Sequence, residues 1–145
     1  MDISRFGAGA SDGALQIYMP AGLLGFPTST HFQIVDPDPE CPLKWLQAHD
    51  TSQLAFVITD PGLVQPDYHV ELTPLDLMDV QAATPSTLFL LAIVTLPRGT
   101  RPYPTINLQG PLLVNRANGW AKQLVLVHEG YHTHHPLSVP PPVSA

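Results

Sequence analysis

A run of histidines near the C-terminus contains the pattern in this chain that comes nearest to a catalytic motif. His128, Glu129 and His132 form a literal His-Glu-x-x-His sequence. In zinc hydrolases a helix places two such histidines on one side of the metal, and the glutamate acts as general base on the bound water. A metal-dependent hydrolase is therefore one function that the sequence raises, and it requires a helix at this point.

The residues around the motif predict a strand and a turn instead. Residues 124–127 are a strand-like apolar run, and Glu129-Gly130 is typical of a tight turn, which would separate the two imidazoles. No Asp, Glu or Cys follows Glu129, and His134 and His135 lie too near for the usual third ligand. We therefore predict no catalytic residue, no metal site and no cofactor, and interpret the histidines as a solvated terminal segment.

The acidic residues are concentrated in the middle of the chain. Twelve acids against six bases give a net charge of −6. Nine of these acids lie between Asp36 and Asp79, whereas the same segment contains a single base, Lys44. Such a surface repels phosphates, which argues against direct nucleic-acid binding, and it attracts a basic protein partner. Ordinary solubilising charge is the competing explanation.

Short apolar segments between many turn-forming residues predict an all-β fold. Seventeen prolines and ten glycines leave no room for long helices. The uncharged segment 88–96 predicts a strand covered on both faces, and Asn118-Gly119 predicts a turn between two apolar runs. The predicted fold class is a small closed or barrel-like antiparallel sheet, with strands at 14–19, 31–36, 42–48, 53–59, 68–73, 88–96, 104–108, 111–115, 122–128 and 131–135.

One short helical turn is predicted after Thr73. This threonine is a capping residue, Pro74 occupies the first helical position, and Asp76 follows three residues after the cap. We expect Leu75 and Met78, together with Leu72 just before the turn, to face inward and Asp76 and Asp79 to face solvent.

An ordered series of short motifs covers most of the chain. Its blocks are Pro20-Ala21-Gly22-Leu23-Leu24-Gly25-Phe26, residues 43–50, 56–61, 66–68, 88–97, 105–127 and 131–137. In this order and spacing the series resembles the FliW family of flagellar assembly factors. It departs from the family pattern at Leu24, where the family often has Pro, at Ala48, where Ser is usual, and in Gln109-Gly110-Pro111.

The resemblance implies a FliW-like β domain and a cytoplasmic regulatory protein of bacterial motility that binds proteins and catalyses nothing. Its implied partners are CsrA, a small basic protein that represses translation of flagellin mRNA, and flagellin itself, which competes with CsrA in a feedback loop. It implies no nucleic-acid or membrane partner. A flagellin chaperone without a role in translation remains an alternative, as does the hydrolase.

Two sets of residues are predicted to matter, one for binding a partner and one for holding the structure together. Asn107 is expected to tie backbone groups together where two strands meet, with Gln123 in the same network and Pro111 at an edge or bulge. Tyr68 and Trp45 fit either a core or a binding anchor. The predicted partner-binding residues are Asp60, Asp67, Tyr68, Glu71, Asp76 and Asp79, and the predicted structural motif consists of Gly25, Phe26, Asn107, Pro111, Gln123 and Tyr131.

The chain length fits one domain. We predict a flexible N-terminus at 1–12, the β domain at 13–137, and a disordered proline-rich tail at 138–145. The N-terminus has no apolar segment typical of a signal peptide, and no apolar run is long enough to span a membrane.

Overall fold

The computed structural model describes residues 2–3, 15–36, 40–49, 54–96, 104–126 and 130–137. Within these ranges the chain forms short strands, one α-helix, α1 (Pro74–Asp79), and two 3₁₀ helices (Pro61–Leu63 and Pro85–Thr87). The strands are β1 (Asp2–Ile3), β2 (Leu15–Tyr18), β3 (His31–Val35), β4 (Lys44–Ala48), β5 (Ala55–Thr59), β6 (Val70–Glu71), β7 (Leu88–Thr95), β8 (Thr105–Ile106), β9 (Leu112–Asn115), β10 (Ala121–Gln123) and β11 (His135–Pro136).

The strands form one large antiparallel sheet with the order β10-β9-β7-β5-β4-β3-β2, while β8 pairs with both β7 and β11. A separate small sheet pairs β1 with β6. The two ends of the large sheet approach each other at a single bridge between Tyr18 and Trp120, where the Tyr18 N–H donates to the Gly119 carbonyl at 2.8 Å. The all-β prediction is confirmed, but the sheet does not close into a barrel, because β2 and β10 share no continuous ladder.

The core lies on both faces of the sheet. One buried cluster includes Phe32, Leu46 and Phe89 and lies on one face of the sheet. The other lies on the opposite face, where segment 61–82 packs over β7 through residues such as Tyr68 and Val80. Side chains of β7 alternate between the two clusters, which confirms that this strand is covered on both faces. Burying each large apolar side chain stabilises the fold by roughly 1.5–3 kcal/mol.

Apart from β1, which lies within the predicted flexible N-terminus and was not predicted as a strand, the strands lie where the apolar segments predicted them, and several are shorter than predicted. β6 and β11 occupy only part of the predicted segments 68–73 and 131–135, with β11 shifted to His135–Pro136. β10 ends at Gln123, but hydrogen bonds from Leu124 N–H to Pro111 and from Leu126 N–H to Gln109, both 2.8 Å, continue its pairing. The predicted proline-rich tail, 138–145, and nearly all of the predicted flexible N-terminus lie outside the described residues.

Candidate partner-binding surface

Helix α1 begins at a capping box, as the sequence predicts. The Thr73 hydroxyl accepts a hydrogen bond from the Asp76 N–H at 3.1 Å, and an Asp76 carboxylate oxygen accepts one from the Thr73 N–H at 2.9 Å. Pro74 occupies the first helical position, where a missing N–H has no cost. These contacts satisfy backbone donors that the first turn leaves free and so fix where the helix begins.

The C-terminal end of α1 is fixed by a left-handed residue and by two asparagines. Gln81 has a φ of 54°, and the Ala82 N–H reaches back to the Leu77 carbonyl at 2.8 Å, as in a Schellman motif. The amide of Asn115, which is only 2% exposed, donates to the Val80 carbonyl at 2.9 Å. Asn118 approaches the same carbonyl at 3.4 Å. The β9–β10 connection therefore holds the end of the helix.

Asn115 was missed at the sequence level, although it lies inside a motif that the resemblance uses. Besides holding Val80, it accepts hydrogen bonds from the Thr87 hydroxyl at 2.7 Å and from the Ala117 N–H at 3.0 Å. A polar residue at the end of an apolar strand, directly before a turn, is the signal that points to such a role.

Lys122 of β10 binds both acids of α1. Its ammonium lies 3.0 Å from an Asp76 carboxylate oxygen and 2.7 Å from one of Asp79. Burial would raise the pKa of Asp76, but the Thr73 N–H and Lys122 outweigh it, and the pKa falls below its ordinary value. Burial likewise lowers the pKa of Lys122, yet the hydrogen bonds to Asp79 and Asp76 raise it overall. Asp76 and Lys122 are therefore both charged at neutral pH, and the carboxylates of Asp76 and Asp79 share one ammonium.

The other predicted partner-binding acids precede α1 in the chain. Asp60 caps the 3₁₀ helix at Pro61–Leu63 by accepting from the Gly62 N–H at 2.8 Å. Asp67 is exposed and accepts from the Gln65 side chain at 2.9 Å. Glu71 is exposed in the short strand β6. We call Asp60, Asp67, Glu71, Asp76 and Asp79 the acidic surface.

Tyr68 lies away from this surface. Its side chain is 1% exposed, and its hydroxyl donates to the Leu108 carbonyl at 2.7 Å. The Tyr131 ring packs against it with 4.6 Å between ring centroids. The prediction that Tyr68 contacts a partner is therefore wrong in this conformation, because the whole ring belongs to the core. Trp45, the other aromatic residue left open, is 43% exposed.

The expected inward orientation of two α1 side chains is also wrong. Leu75 is 60% exposed and Met78 is 71% exposed. Leu77 packs partly against the core instead, while Leu72 and Val80, on either side of the helix, are buried. Asp76, which we expected to face solvent, is drawn toward Lys122, so the helix is rotated relative to the expectation and presents apolar side chains to solvent.

A groove of about 810 Å³ runs beside this apolar side of α1. Its walls are the loop 20–27, the end of α1 and the segment 120–125, and its exposed apolar residues are Leu24, Met78 and Val125. Lys122 and Asp79 also line it. We call this feature the α1 groove.

Gly25 and Gln123 of the predicted structural motif line the α1 groove. Gln123 accepts a hydrogen bond from the Leu24 N–H at 3.0 Å and donates to the Gly110 carbonyl at 2.9 Å. The side-chain amide oxygen of Asn107 accepts a hydrogen bond from the Gly110 N–H at 2.9 Å. Gly110 thus lies between these two side chains, next to the buried Pro111. Gly25 has a φ of 87°.

Aromatic contacts link the same loop to the sheet. The ring of Phe26 packs edge-on against Phe56 with 5.4 Å between centroids. This contact anchors the loop 20–27 on the side of the sheet that encloses Phe32 and Leu46.

The histidine motif is only partly within the described residues. His128 and Glu129 lie outside them, whereas His132 and His134 are exposed. In the described parts of the chain, no three His, Cys, Asp or Glu side chains lie close enough together to hold a metal ion. Gly130 has a φ of 75°, which suits the predicted turn. None of the helices in the described ranges has the length and hydropathy needed to cross a bilayer.

Comparison with known proteins identifies one family. The sequence model described as FliW protein matches residues 1–137. The chain is 39% identical to the flagellar assembly factor FliW of Alkaliphilus metalliredigens, covering 82% of this chain and 74% of that protein. It is 37% identical to the Geobacter sulfurreducens flagellar assembly factor FliW, covering 92% and 83%.

A solved structure agrees with the sequence comparisons. The crystal structure of a flagellar assembly factor FliW superimposes with a TM-score of 0.76 at 27% identity, covering 87% of this chain and 86% of that one. This chain belongs to the FliW family of flagellar assembly factors.

Proposed function

We propose that this protein is a cytoplasmic, non-catalytic regulator that binds the translational repressor CsrA and thereby relieves repression of flagellin synthesis. We further propose that it binds flagellin, which competes with CsrA, so that unassembled flagellin limits its own synthesis. The observation that carries the proposal is the acidic surface: one continuous segment, 60–79, presents five acids on a rigid support.

The charge of this surface suits a basic protein partner. Lys122 balances one of the two acids of α1, and Asp67 and Glu71 add exposed charge nearby in the chain. A patch of one sign speeds the encounter with an oppositely charged protein and weakens as salt screens it. The same charge disfavours RNA, so the protein can bind an RNA-binding regulator without itself binding the RNA.

The rigidity of the surface supports the same proposal. Asp76 and Asp79 are fixed by the Lys122 ammonium, and Asp76 is also fixed by the Thr73 N–H. Side chains that are already ordered lose less conformational entropy on binding.

A matched pair of variants tests the role of the acidic surface. Asp67→Asn with Glu71→Gln removes two negative charges from it. Gln16→Lys with Gln33→Lys changes the net charge by the same amount on β2 and β3, outside the acidic surface. Titration calorimetry with purified CsrA should show about tenfold weaker binding for the first variant and little change for the second. Equal affinities for the two variants would refute this surface.

Competition distinguishes the regulator from a flagellin chaperone. Mixing the protein with CsrA and increasing amounts of flagellin on a sizing column should release CsrA as a flagellin complex forms. A protein that binds flagellin and never co-elutes with CsrA would instead be the chaperone alternative.

A further inference from the structure

We propose that the α1 groove docks an amphipathic helix of a protein partner that carries a lysine or arginine beside its apolar side. The inference deepens the proposed function, because it assigns the partner an apolar contact next to the acidic surface. It starts from the exposure of three large side chains in one groove: Leu24 at 69%, Met78 at 71% and Val125 at 58%.

Exposed apolar side chains grouped in a concave surface mark an interaction site more often than isolated ones do. Leu75 follows the same side of α1 as Met78, three residues away, and is 60% exposed. Leu75 and Met78 do not support the core, since the α1 residue that packs partly against it is Leu77. The position of the helix depends on its polar ends and on Leu77, so its outer side is available to a partner.

The edge of the sheet beside the groove favours a helix over an added strand. β10 is the last strand of the sheet. At its start, the bridge between Tyr18 and Trp120 already occupies the outer edge. At its end, the Leu24 N–H binds the Gln123 side chain and brings the loop 20–27 against the strand. A partner strand would need a free row of backbone groups, and this edge does not offer one. The groove offers side chains instead, which are what a docked helix contacts.

Charge specifies the occupant further. The Asp79 carboxylate is 42% exposed at the groove, and Lys122 is shared between Asp79 and Asp76. The ion-paired group therefore carries a net charge of −1. A cation beside the apolar side of the incoming helix would complement this charge, whereas an acid there would be repelled.

Binding of a designed peptide tests the groove directly. The probe is a labelled helical peptide of about five turns, with Leu at the spacing of one helix face and Lys beside it. Leu24→Ser and Met78→Ser should each weaken its binding about tenfold in fluorescence anisotropy. Leu96→Ser is the matched control, because Leu96 is 41% exposed but lines a different cavity beside β4 and β5. A peptide with Glu in place of Lys should bind several-fold more weakly.

The natural partners are then titrated with the same variants. Weaker binding of CsrA or flagellin to the Leu24→Ser and Met78→Ser variants, with no change for Leu96→Ser, supports the inference. Unchanged binding of peptide and partners overturns it. It is also overturned if sedimentation shows a dimer that Met78→Ser dissociates, since a second copy would then occupy the groove. The Asp67 and Glu71 variants report separately on the acidic surface, because neither residue lines the groove.

Discussion

Replacing Gly22 by alanine should destabilise the protein much more than the same change at Gly25, although both lie in one loop. Both glycines have positive φ, 68° and 87°. An alanine there costs about 1 kcal/mol, because a Cβ clashes with its own backbone in that region. A Cβ on Gly22 would in addition lie 2.5 Å from the Phe26 carbonyl oxygen and 2.6 Å from that of Pro27, whereas a Cβ on Gly25 meets nothing within 4 Å.

The loop has little freedom to relieve that overlap. Leu23 and Phe26 exchange two backbone hydrogen bonds of 3.2 and 2.8 Å, and the Gly22 N–H donates to the Met19 carbonyl at 2.9 Å. Moving the backbone should therefore add about 1–3 kcal/mol, as in other overpacked sites, giving a total loss of about 2–4 kcal/mol for Gly22→Ala.

Urea unfolding measures this difference through the midpoint, provided that the slope is the same for both variants. Gly25→Ala is the matched control, since it has the same backbone cost without the contact. Equal losses of stability for the two variants would show that the overlap with Phe26 and Pro27 does not matter, and would refute the reasoning.

Three further predictions concern the supports of α1. Asn115→Ala should lower the free energy of unfolding by about 2–3 kcal/mol in urea, because it leaves buried partners unpaired; a loss below that of an exposed Asn118→Ala would contradict this. Gln81→Gly should raise stability by about 0.5–1 kcal/mol by relieving its positive φ, and a lower urea midpoint would contradict this. Because the pKa of Asp76 is lowered in the folded protein, its carboxylate stabilises the fold at pH values above the ordinary pKa of 3.8. This contribution is lost as the pH falls through the folded pKa. Because the pKa of Lys122 is raised, its ammonium stabilises the fold at pH values below 10.5. This contribution is lost as the pH rises through the folded pKa. Lys122→Met should therefore reduce the dependence of the free energy of unfolding on pH, at both the acidic and the alkaline end, by up to about 1 kcal/mol. An unchanged dependence on pH would contradict a stabilising role of the ion pairs.

The strands could be predicted because their signal is local. Apolar runs bounded by Pro and Gly define β3, β5, β7 and β9, and the capping sequence at Thr73 defines the start of α1. The ends of the strands were harder, because pairing depends on partners that are distant in the chain. The contact of β11 with β8, for example, joins His135 to Ile106.

The candidate site was predicted less completely, for a physical reason. Helical spacing placed Leu75 and Met78 on one side of α1, but spacing alone does not tell which side faces the core. The rotation is decided by Lys122, which lies in β10 and binds Asp76 across 46 residues of sequence. Likewise, the burial of Tyr68 depends on Leu108 and Tyr131, which no local pattern connects to it.

The way α1 is stabilised explains why its outer side is available for binding. A helix of six residues does not form on its own in water, because nucleation costs more than so few hydrogen bonds return. Most short helices depend on burying one side, yet α1 fully buries none of its residues, and only its Leu77 packs partly against the core. Its capping box, the Asn115 amide and the Lys122 ammonium hold it from its two ends and from one flank. Such a helix keeps its position whether or not a partner covers Leu75 and Met78, so the apolar contact in the α1 groove and the charges of the acidic surface are both ordered before a partner arrives.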